Sequence, residues 1–171
     1  MSTSSATLGP RTAQALAIAG SAFLSGSIIS ISTVSAPALI VPGAFYFPNQ
    51  VAQQWKALYT RGASTMPPLA ILSSSAYFYL AYKLSNWSTG MTRKYIVAGL
   101  LTIGIVPYTL LVMAKTNAKL SAKAVDVPTE KSEVADGPEV KDLVESWTTM
   151  NFVRGVLPLA GTIFGLHATF F

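Results

Sequence analysis

Three side chains near residue 150 have the types and the spacing to bind and polarise a substrate. Trp147, Asn151 and Arg154 lie at positions i, i+4 and i+7. On an α-helix this spacing returns to one face within about 20°. Together the three residues would present an aromatic ring, an amide and a fixed cation. Such a face can bind a flat molecule and stabilise negative charge that develops on it.

Arg154 needs an explanation because it lies about one turn inside an apolar segment. A charge at the bilayer centre costs roughly 2.5–3.5 kcal/mol on insertion scales, and less near a helix end. Alternatively, the Arg154 side chain could extend to the membrane interface and keep its charge in water. The position of Arg154 alone does not decide between this explanation and a functional role inside the membrane. Trp147 alone would be an interfacial aromatic residue. A polar triplet on one face instead favours a site that points into a helical bundle.

Candidates for a general base are few. His167, the only histidine, lies roughly 20 Å along a helix axis from Arg154 and about 140° around it. We therefore expect it on the other face, near the C-terminus. The acidic stretch 126–145 is most simply a solvated loop, although Asp142 or Glu145 could reach back over the site as a base.

The composition indicates what kind of element must position these residues. The chain has 171 residues, of which 51% are hydrophobic and only 11% charged, and its mean hydropathy is +0.46. Soluble domains carry about 25% charged residues. All seven acids fall between Asp126 and Glu145. Because water-facing surfaces need charges of both signs, we expect most of the chain to face a lipid bilayer.

Four apolar segments are predicted to form membrane-crossing helices. Each segment is close to, or longer than, the ~20 residues that a helix needs to cross a hydrocarbon core. The segments are about 13–41, 67–84, 95–114 and 150–171. Residues 1–10 are predicted to be a disordered lead and 115–146 a polar loop. The predicted fold is all-α, a single transmembrane domain over 1–171 that forms an integral membrane four-helix bundle in up-down-up-down order.

This topology would bring further polar residues to the membrane face that carries Arg154. They come from the ends of the other predicted segments and from the connection before the second. They are Tyr59, Arg61, Met66, Tyr108, Thr109 and Asn117. Thr109 alone would more simply bond to its own helix backbone. The i, i+4, i+8 spacing of Val51, Trp55 and Tyr59 predicts a short amphipathic helix at the interface.

Several classes of function are excluded by what the sequence lacks. The net charge of +5 and the pI of 9.6 invite a nucleic-acid interpretation. However, the basic residues stand singly at the ends of apolar runs, as bilayer anchoring predicts, so we expect no nucleic-acid partner. With no cysteine, one histidine and no acid in the predicted crossings, no metal triad can form inside the bilayer. No dinucleotide-binding fingerprint or nucleophile elbow is present.

Three motifs occur in order between residues 58 and 154. They are Leu58–Gly62 followed by Met66–Ala70, then Pro107–Thr109 with Met113, Thr116, Asn117 and Leu120, and finally Trp147, Asn151 and Arg154. Together they resemble the anthrone oxygenase family, which consists of small membrane proteins of fungal aromatic polyketide pathways. The length and the four-crossing layout are similar as well.

The resemblance implies oxidation of the central methylene of a polyketide anthrone by dioxygen to give an anthraquinone. Dioxygen would be the co-substrate, and no metal or flavin cofactor would be needed because anthrone anions react with oxygen directly. The resemblance carries over these polar positions, and our hypothesis for them is that Arg154 stabilises the enolate while Asn151 and Asn117 hydrogen-bond its carbonyl or peroxide. Stacking or binding roles would fall to Trp147, Tyr59, Tyr108, Thr109 and Met66. The base stays open among Tyr59, Tyr108, His167 and an acid from 142–145.

Non-enzymatic alternatives also stay open. A four-helix scaffold or a carrier of a hydrophobic polyketide would fit the same length and hydropathy, although a scaffold does not need the polar face around Arg154. A haem held by His167 alone is a further alternative.

We expect a multi-pass protein of the endoplasmic reticulum or another endomembrane, associated with polyketide pathway enzymes.

Overall fold

The protein is almost entirely helical in the part of the chain that the structure describes. The computed structural model describes residues 3–41, 47–84, 88–125 and 130–171, with the side chains of 3–8 and 130–136 left aside. Within these ranges there is no β-strand. The helices are α1 (Thr3–Ser30), α2 (Pro48–Lys83), α3 (Thr89–Ile103), α4 (Ile105–Leu111), α5 (Ala114–Lys123) and α6 (Glu130–Phe170). After α1 the chain makes a π turn over Ile31–Ser35 and a 3₁₀ turn over Pro37–Leu39.

The helices are longer than the apolar segments suggest. Helix α1 begins at Thr3, within the predicted lead 1–10. Helices α5 and α6 occupy most of the predicted polar loop 115–146. A segment with weak hydrophobicity gives little sign of helix in the sequence, yet it can continue a helix that packing has already started. Residues 1–2 of the predicted lead and residues 126–129 of the predicted loop lie outside the described residues.

Helix α2 runs through two prolines at which the sequence predicts a helix start. Pro67 and Pro68 lie in its interior, where neither can donate a backbone hydrogen bond to the carbonyl four residues earlier. One turn before them, the hydroxyls of Ser64 and Thr65 donate to the Arg61 carbonyl at 2.8 and 2.9 Å. The predicted amphipathic helix around Trp55 and the predicted crossing 67–84 are thus parts of one helix.

Three helical stretches of the described chain are long and apolar enough to cross a membrane. They cover 9–39, 89–111 and 137–170. The predicted crossing 67–84 is not among them, because serines at 73–75 and tyrosines at 77, 79 and 82 lower its hydropathy. Large apolar side chains are exposed along the helices, including Phe23 at 69% and Leu111 at 82%. Exposed apolar surface of this extent is typical of a lipid-facing protein.

The backbone divides into two compact units. Unit 1 contains Met1–Ser27, Met66–Val106 and Gly155–Phe171, and unit 2 contains Ile28–Thr65 and Pro107–Arg154. Two of the boundaries fall beside prolines, at Pro67 in α2 and at Pro107 in α4. Every acidic residue belongs to the ranges of unit 2.

Unit 1 is held together by small residues and buried hydroxyl groups. A Cβ atom added at Gly161 would lie 2.9 Å from the Ala98 carbonyl oxygen, and one at Gly165 would lie 2.5 Å from the Tyr77 ring. Helices approach this closely in lipid only where side chains are minimal. The Ser21 hydroxyl lies 2.9 Å from the Tyr77 hydroxyl and 2.8 Å from that of Thr162.

Unit 2 has an aromatic and aliphatic core that supports the polar residues near residue 150. Its fully or almost fully buried members come from α2, α5, α6 and the segments between helices. They are Ala36, Val51, Trp55, Met113, Leu120, Val140, Val144 and Trp147. The predicted i, i+4, i+8 face of α2 therefore packs into protein at Val51 and Trp55.

Candidate active site

The centre of the candidate site is Arg154, which α6 places in unit 2. Its Nη1 donates to Thr109 Oγ1 at 3.0 Å and its Nη2 donates to Asn151 Oδ1 at 2.6 Å. The Nε–H group is buried and has no hydrogen-bond partner. Two of the five N–H groups of the guanidinium thus fix its orientation, and a third is left free to bind an acceptor.

The charge of Arg154 is not neutralised by any described side chain. The ion pairs described in this unit join Lys123 to Glu139 at 3.1 Å and Lys141 to Glu145 at 3.8 Å. Neutral oxygens of Asn151 and Thr109 are the partners of the arginine instead. A half-buried cation without a counter-ion still costs free energy, and that cost falls when an anion binds beside it. The arrangement therefore suits a ligand that carries or develops negative charge.

Asn151 holds the arginine in place. It is fully buried, and its Nδ2 donates to the Ile28 carbonyl at 3.1 Å and to Ser32 Oγ at 2.7 Å. Because Oδ1 accepts from Arg154, both ends of the amide already have partners in the protein. The side chain is thus placed to orient Arg154, whereas direct bonding to a substrate carbonyl would require giving up one of these contacts.

A pocket of about 300 Å³ lies beside the arginine's partner Thr109. Helices α2, α4 and α5 contribute its walls, which are formed by Tyr59, Thr109, Leu110, Ala114, Asn117, Ala118 and Ser121. Asn117 is buried, and its Oδ1 has no hydrogen-bond partner. An unpaired buried acceptor at a pocket wall suits a ligand that donates a hydrogen bond. The apolar lining and the few polar groups are typical of a small-molecule site.

Aromatic residues support the pocket from one side. The Tyr59 ring stacks on Trp55 with centroids 5.2 Å apart and planes within 9°, and Trp147 contacts Trp55 edge-on at 5.8 Å. The indole N–H groups of both tryptophans are buried without a partner. Trp147 belongs to the unit 2 core and is not among the residues that line the pocket. Tyr59 is therefore the aromatic side chain placed to contact a ligand.

The structure brings together most of the residues predicted from the sequence. Tyr108 packs against the unit 2 core, whereas Met66 lies in unit 1. His167 also lies in unit 1, where its Nδ1 is 2.7 Å from Lys94 Nζ. Glu145 is exposed and paired with Lys141. Of the residues considered as a base, Tyr59 is the one that lines the pocket.

Three neighbours of the site, Trp55, Ser32 and Ile28, were not predicted from the sequence as site residues. Trp55 could have been found, since its spacing from Tyr59 places both on one face of α2. Ser32 and the Ile28 carbonyl carry no such signal, because one serine in a segment rich in small residues is not distinctive. In the described part of the chain, no group of three or more His, Cys, Asp or Glu residues is arranged to hold a metal ion.

Comparison with known proteins links this arrangement to one family. The family model for anthrone oxygenase matches residues 55–164. The chain is 32% identical over 156 residues to an anthrone oxygenase of Claviceps purpurea, covering 91% of this chain and 87% of the relative. It is 34% identical over 167 residues to an anthrone oxygenase of Aspergillus fumigatus, covering 91% of each. It is 29% identical over 152 residues to a noranthrone monooxygenase of Aspergillus flavus, covering 88% and 70%. No solved structure matches the chain.

Proposed function

Because this chain belongs to the anthrone oxygenase family, we propose that it is a membrane-bound monooxygenase that oxidises a polyketide anthrone to an anthraquinone. The central methylene loses two hydrogens and gains one oxygen atom from dioxygen. The second oxygen atom, together with those two hydrogens, leaves as water. The relatives are named for action on anthrones, and one is named for noranthrone.

The observation that carries this proposal is the half-buried Arg154 cation, which forms no ion pair with a carboxylate of the described residues. Removal of a proton from the methylene gives an enolate, whose negative charge lies largely on the carbonyl oxygen. The free Nε–H of Arg154 would donate to this oxyanion, and its positive charge would stabilise it in a site with little water. The same electrostatic stabilisation would serve the peroxide that forms when the enolate reacts with dioxygen.

The pocket supplies further roles in this scheme. We assign proton removal to Tyr59, which lines the pocket, and hydrogen bonding of a substrate hydroxyl to the unpaired Asn117 Oδ1. Stacking of Tyr59 on Trp55 extends an aromatic surface that suits a flat tricyclic ring system. Asn151 and Thr109 hold the Arg154 guanidinium in position.

The reaction as proposed uses dioxygen as co-substrate without a metal or flavin. The chemical reason is that enolates of this electron-rich kind transfer electrons to oxygen directly, so the protein needs only to form and hold the anion. Substrate and dioxygen both partition into lipid, which explains why the site is built on apolar helices. The endoplasmic reticulum or another endomembrane, and association with polyketide pathway enzymes, stay predictions of the sequence.

We further propose that the chain crosses the membrane four times as an up-down-up-down bundle. The contacts within unit 1 support this. Gln14, in the first half of α1, donates to the hydroxyl of Tyr95, in the first half of α3, and this hydroxyl also contacts Thr169 near the end of α6. The end of α2 joins this cluster through Leu80 and Ala81. Exposed apolar residues on the second half of α2, among them Ile71 and Leu72, suit contact with lipid.

The test is isotopic. Membranes that contain the protein are supplied with emodin anthrone, and then with other polyketide anthrones, under ¹⁸O₂ and with a chelator present. We expect quinone well above the level in empty membranes, with one ¹⁸O atom per molecule and a matching label in water. Conversion no faster than in empty membranes, with folded protein confirmed, would contradict an enzymatic role and favour a carrier or scaffold. Loss of activity with the chelator would contradict the metal-free scheme.

A further inference from the structure

Two groups at the end of α1 hold the amide that orients Arg154. The Ile28 carbonyl oxygen and Ser32 Oγ accept from Asn151 Nδ2 at 3.1 and 2.7 Å. Ser32 is buried, with 4% of its surface exposed. It lies in the π turn Ile31–Ser35 that directly follows α1, and such turns frequently occur at functional sites. Both groups lie outside residues 55–164, the stretch that the family model matches.

These contacts allow one orientation of the Asn151 amide. A carbonyl can only accept a hydrogen bond, so Nδ2 must face Ile28 and Oδ1 must face Arg154. The Asn151–Arg154 bond of 2.6 Å depends on that orientation. If the amide turned over, its oxygen would face the Ile28 carbonyl and its N–H groups would face the guanidinium. Both contacts would then be repulsive.

We propose that Ser32 is a positioning residue of the oxidation: it holds Asn151, and through Asn151 it fixes the guanidinium of Arg154 against Thr109 at the pocket wall. This inference rests on the proposed function and adds to it a residue of the first helical segment. Without the Ser32 hydroxyl, one Nδ2 hydrogen loses its acceptor and the amide is held by the Ile28 carbonyl alone. The guanidinium would then sample orientations in which Nε–H does not meet the oxyanion, and a small misplacement lowers the rate strongly.

Ser25 provides a matched control for Ser32. It lies on α1, seven residues before Ser32, is likewise buried, and its hydroxyl donates to the Gly155 carbonyl of α6 at 2.9 Å. That bond belongs to unit 1 and does not involve Asn151 or Arg154. If both serines had only a structural role, Ser25→Ala and Ser32→Ala would have the same consequences.

The experiment compares steady-state kinetics of anthrone oxidation for these variants in membranes. We expect Ser32→Ala to lower kcat about five- to tenfold, as loss of one positioning hydrogen bond would, with KM within about twofold of wild type. Ser25→Ala should keep kcat within about twofold of wild type. Thermal unfolding of both variants is measured as well. If Ser32→Ala acts by positioning, its kcat falls although its unfolding temperature is no lower than that of Ser25→Ala.

A double-mutant cycle separates positioning from a general structural effect. Since Ser32 acts through Asn151, Ser32→Ala should cause no further loss of kcat in an Asn151→Ala background. An equal loss in both backgrounds, or a loss in Ser25→Ala as large as in Ser32→Ala, would overturn the inference. So would wild-type kcat in Ser32→Ala, and in these cases the proposed function would survive. Absence of turnover in the wild-type protein would overturn the proposed function and, with it, the inference.

Discussion

At the residue scale, the site is marked by polar atoms that the protein leaves without partners. Among the described residues, Arg154 Nε, Asn117 Oδ1 and the indole N–H groups of Trp55 and Trp147 are buried and unpaired in unit 2, whereas Ser73 Oγ is the one such atom in unit 1. Each such atom costs about 1–3 kcal/mol in a folded protein. Sites that bind a ligand commonly break the rule that buried polar groups are satisfied, because the ligand completes them.

Asn117 gives a prediction that separates stability from binding. We expect Asn117→Leu to unfold at the same temperature as wild type or higher, because it replaces an unsatisfied acceptor by an apolar group of similar volume. The variant should raise KM for a hydroxylated anthrone about tenfold, which corresponds to about 1.4 kcal/mol. The measurements are thermal unfolding without substrate and steady-state kinetics.

A second substitution in the same pocket serves as the control. Ser121 also lines the pocket, and Ser121→Ala should leave KM within about twofold of wild type. An Asn117→Leu variant with wild-type KM would show that the Asn117 oxygen does not contact the substrate.

At the element scale, interruptions in the helices bring the site residues together. The break between α4 and α5 at Val112 and Met113 separates Thr109 from Asn117, yet both line the pocket. The π turn after α1 carries Ser32 towards Asn151. Regular helices over these stretches would present the same side chains at other angles, since each π or broken turn shifts the helical register of the residues after it.

The close helix contacts of unit 1 give a prediction about stability. Gly161→Ala should destabilise the protein by about 1–3 kcal/mol, because its methyl group would meet the Ala98 carbonyl oxygen at 2.9 Å and backbone cannot move aside cheaply. Gly26 is the matched control, since a Cβ added there meets no atom within 4 Å. Gly26→Ala should be neutral or stabilising by up to about 1 kcal/mol, from helix propensity. Thermal unfolding in detergent checks both, and equal midpoints would contradict the packing argument.

How much could be predicted from the sequence differs between elements and site. Helical class and the apolar stretches can be read from hydropathy. The spacing of Trp147, Asn151 and Arg154 predicts one helix face, and all three residues lie on α6 within unit 2. The continuity of α2 through Pro67 could not be predicted, because a proline usually ends a helix and only packing can retain one inside. Ser32 could not be predicted either, since its role depends on a contact with α6 across more than a hundred residues.

At the scale of the whole molecule, charge and polarity are distributed unevenly. All seven acids lie between Asp126 and Glu145, within the ranges of unit 2, and unit 1 has none. Arg154 lies nine residues beyond the last acid, and its partners among the described side chains are the Asn151 amide and the Thr109 hydroxyl. None of the described carboxylates, those of Glu139, Asp142 and Glu145, pairs with this cation, which preserves the positive charge that an enolate requires. The apolar helices around it suit a substrate that arrives through lipid.

The central claim is that the Arg154 cation stabilises the enolate, and its direct test is the turnover of Arg154→Gln. Glutamine keeps a hydrogen-bond donor but removes the charge, so we predict a fall in kcat of about 10²–10³-fold. Arg61→Gln is the control, because Arg61 is exposed on α2 and its loss should leave kcat within about twofold of wild type. Quinone formation is measured at equal amounts of folded protein, with the rate in empty membranes subtracted. Full turnover by Arg154→Gln would contradict the account.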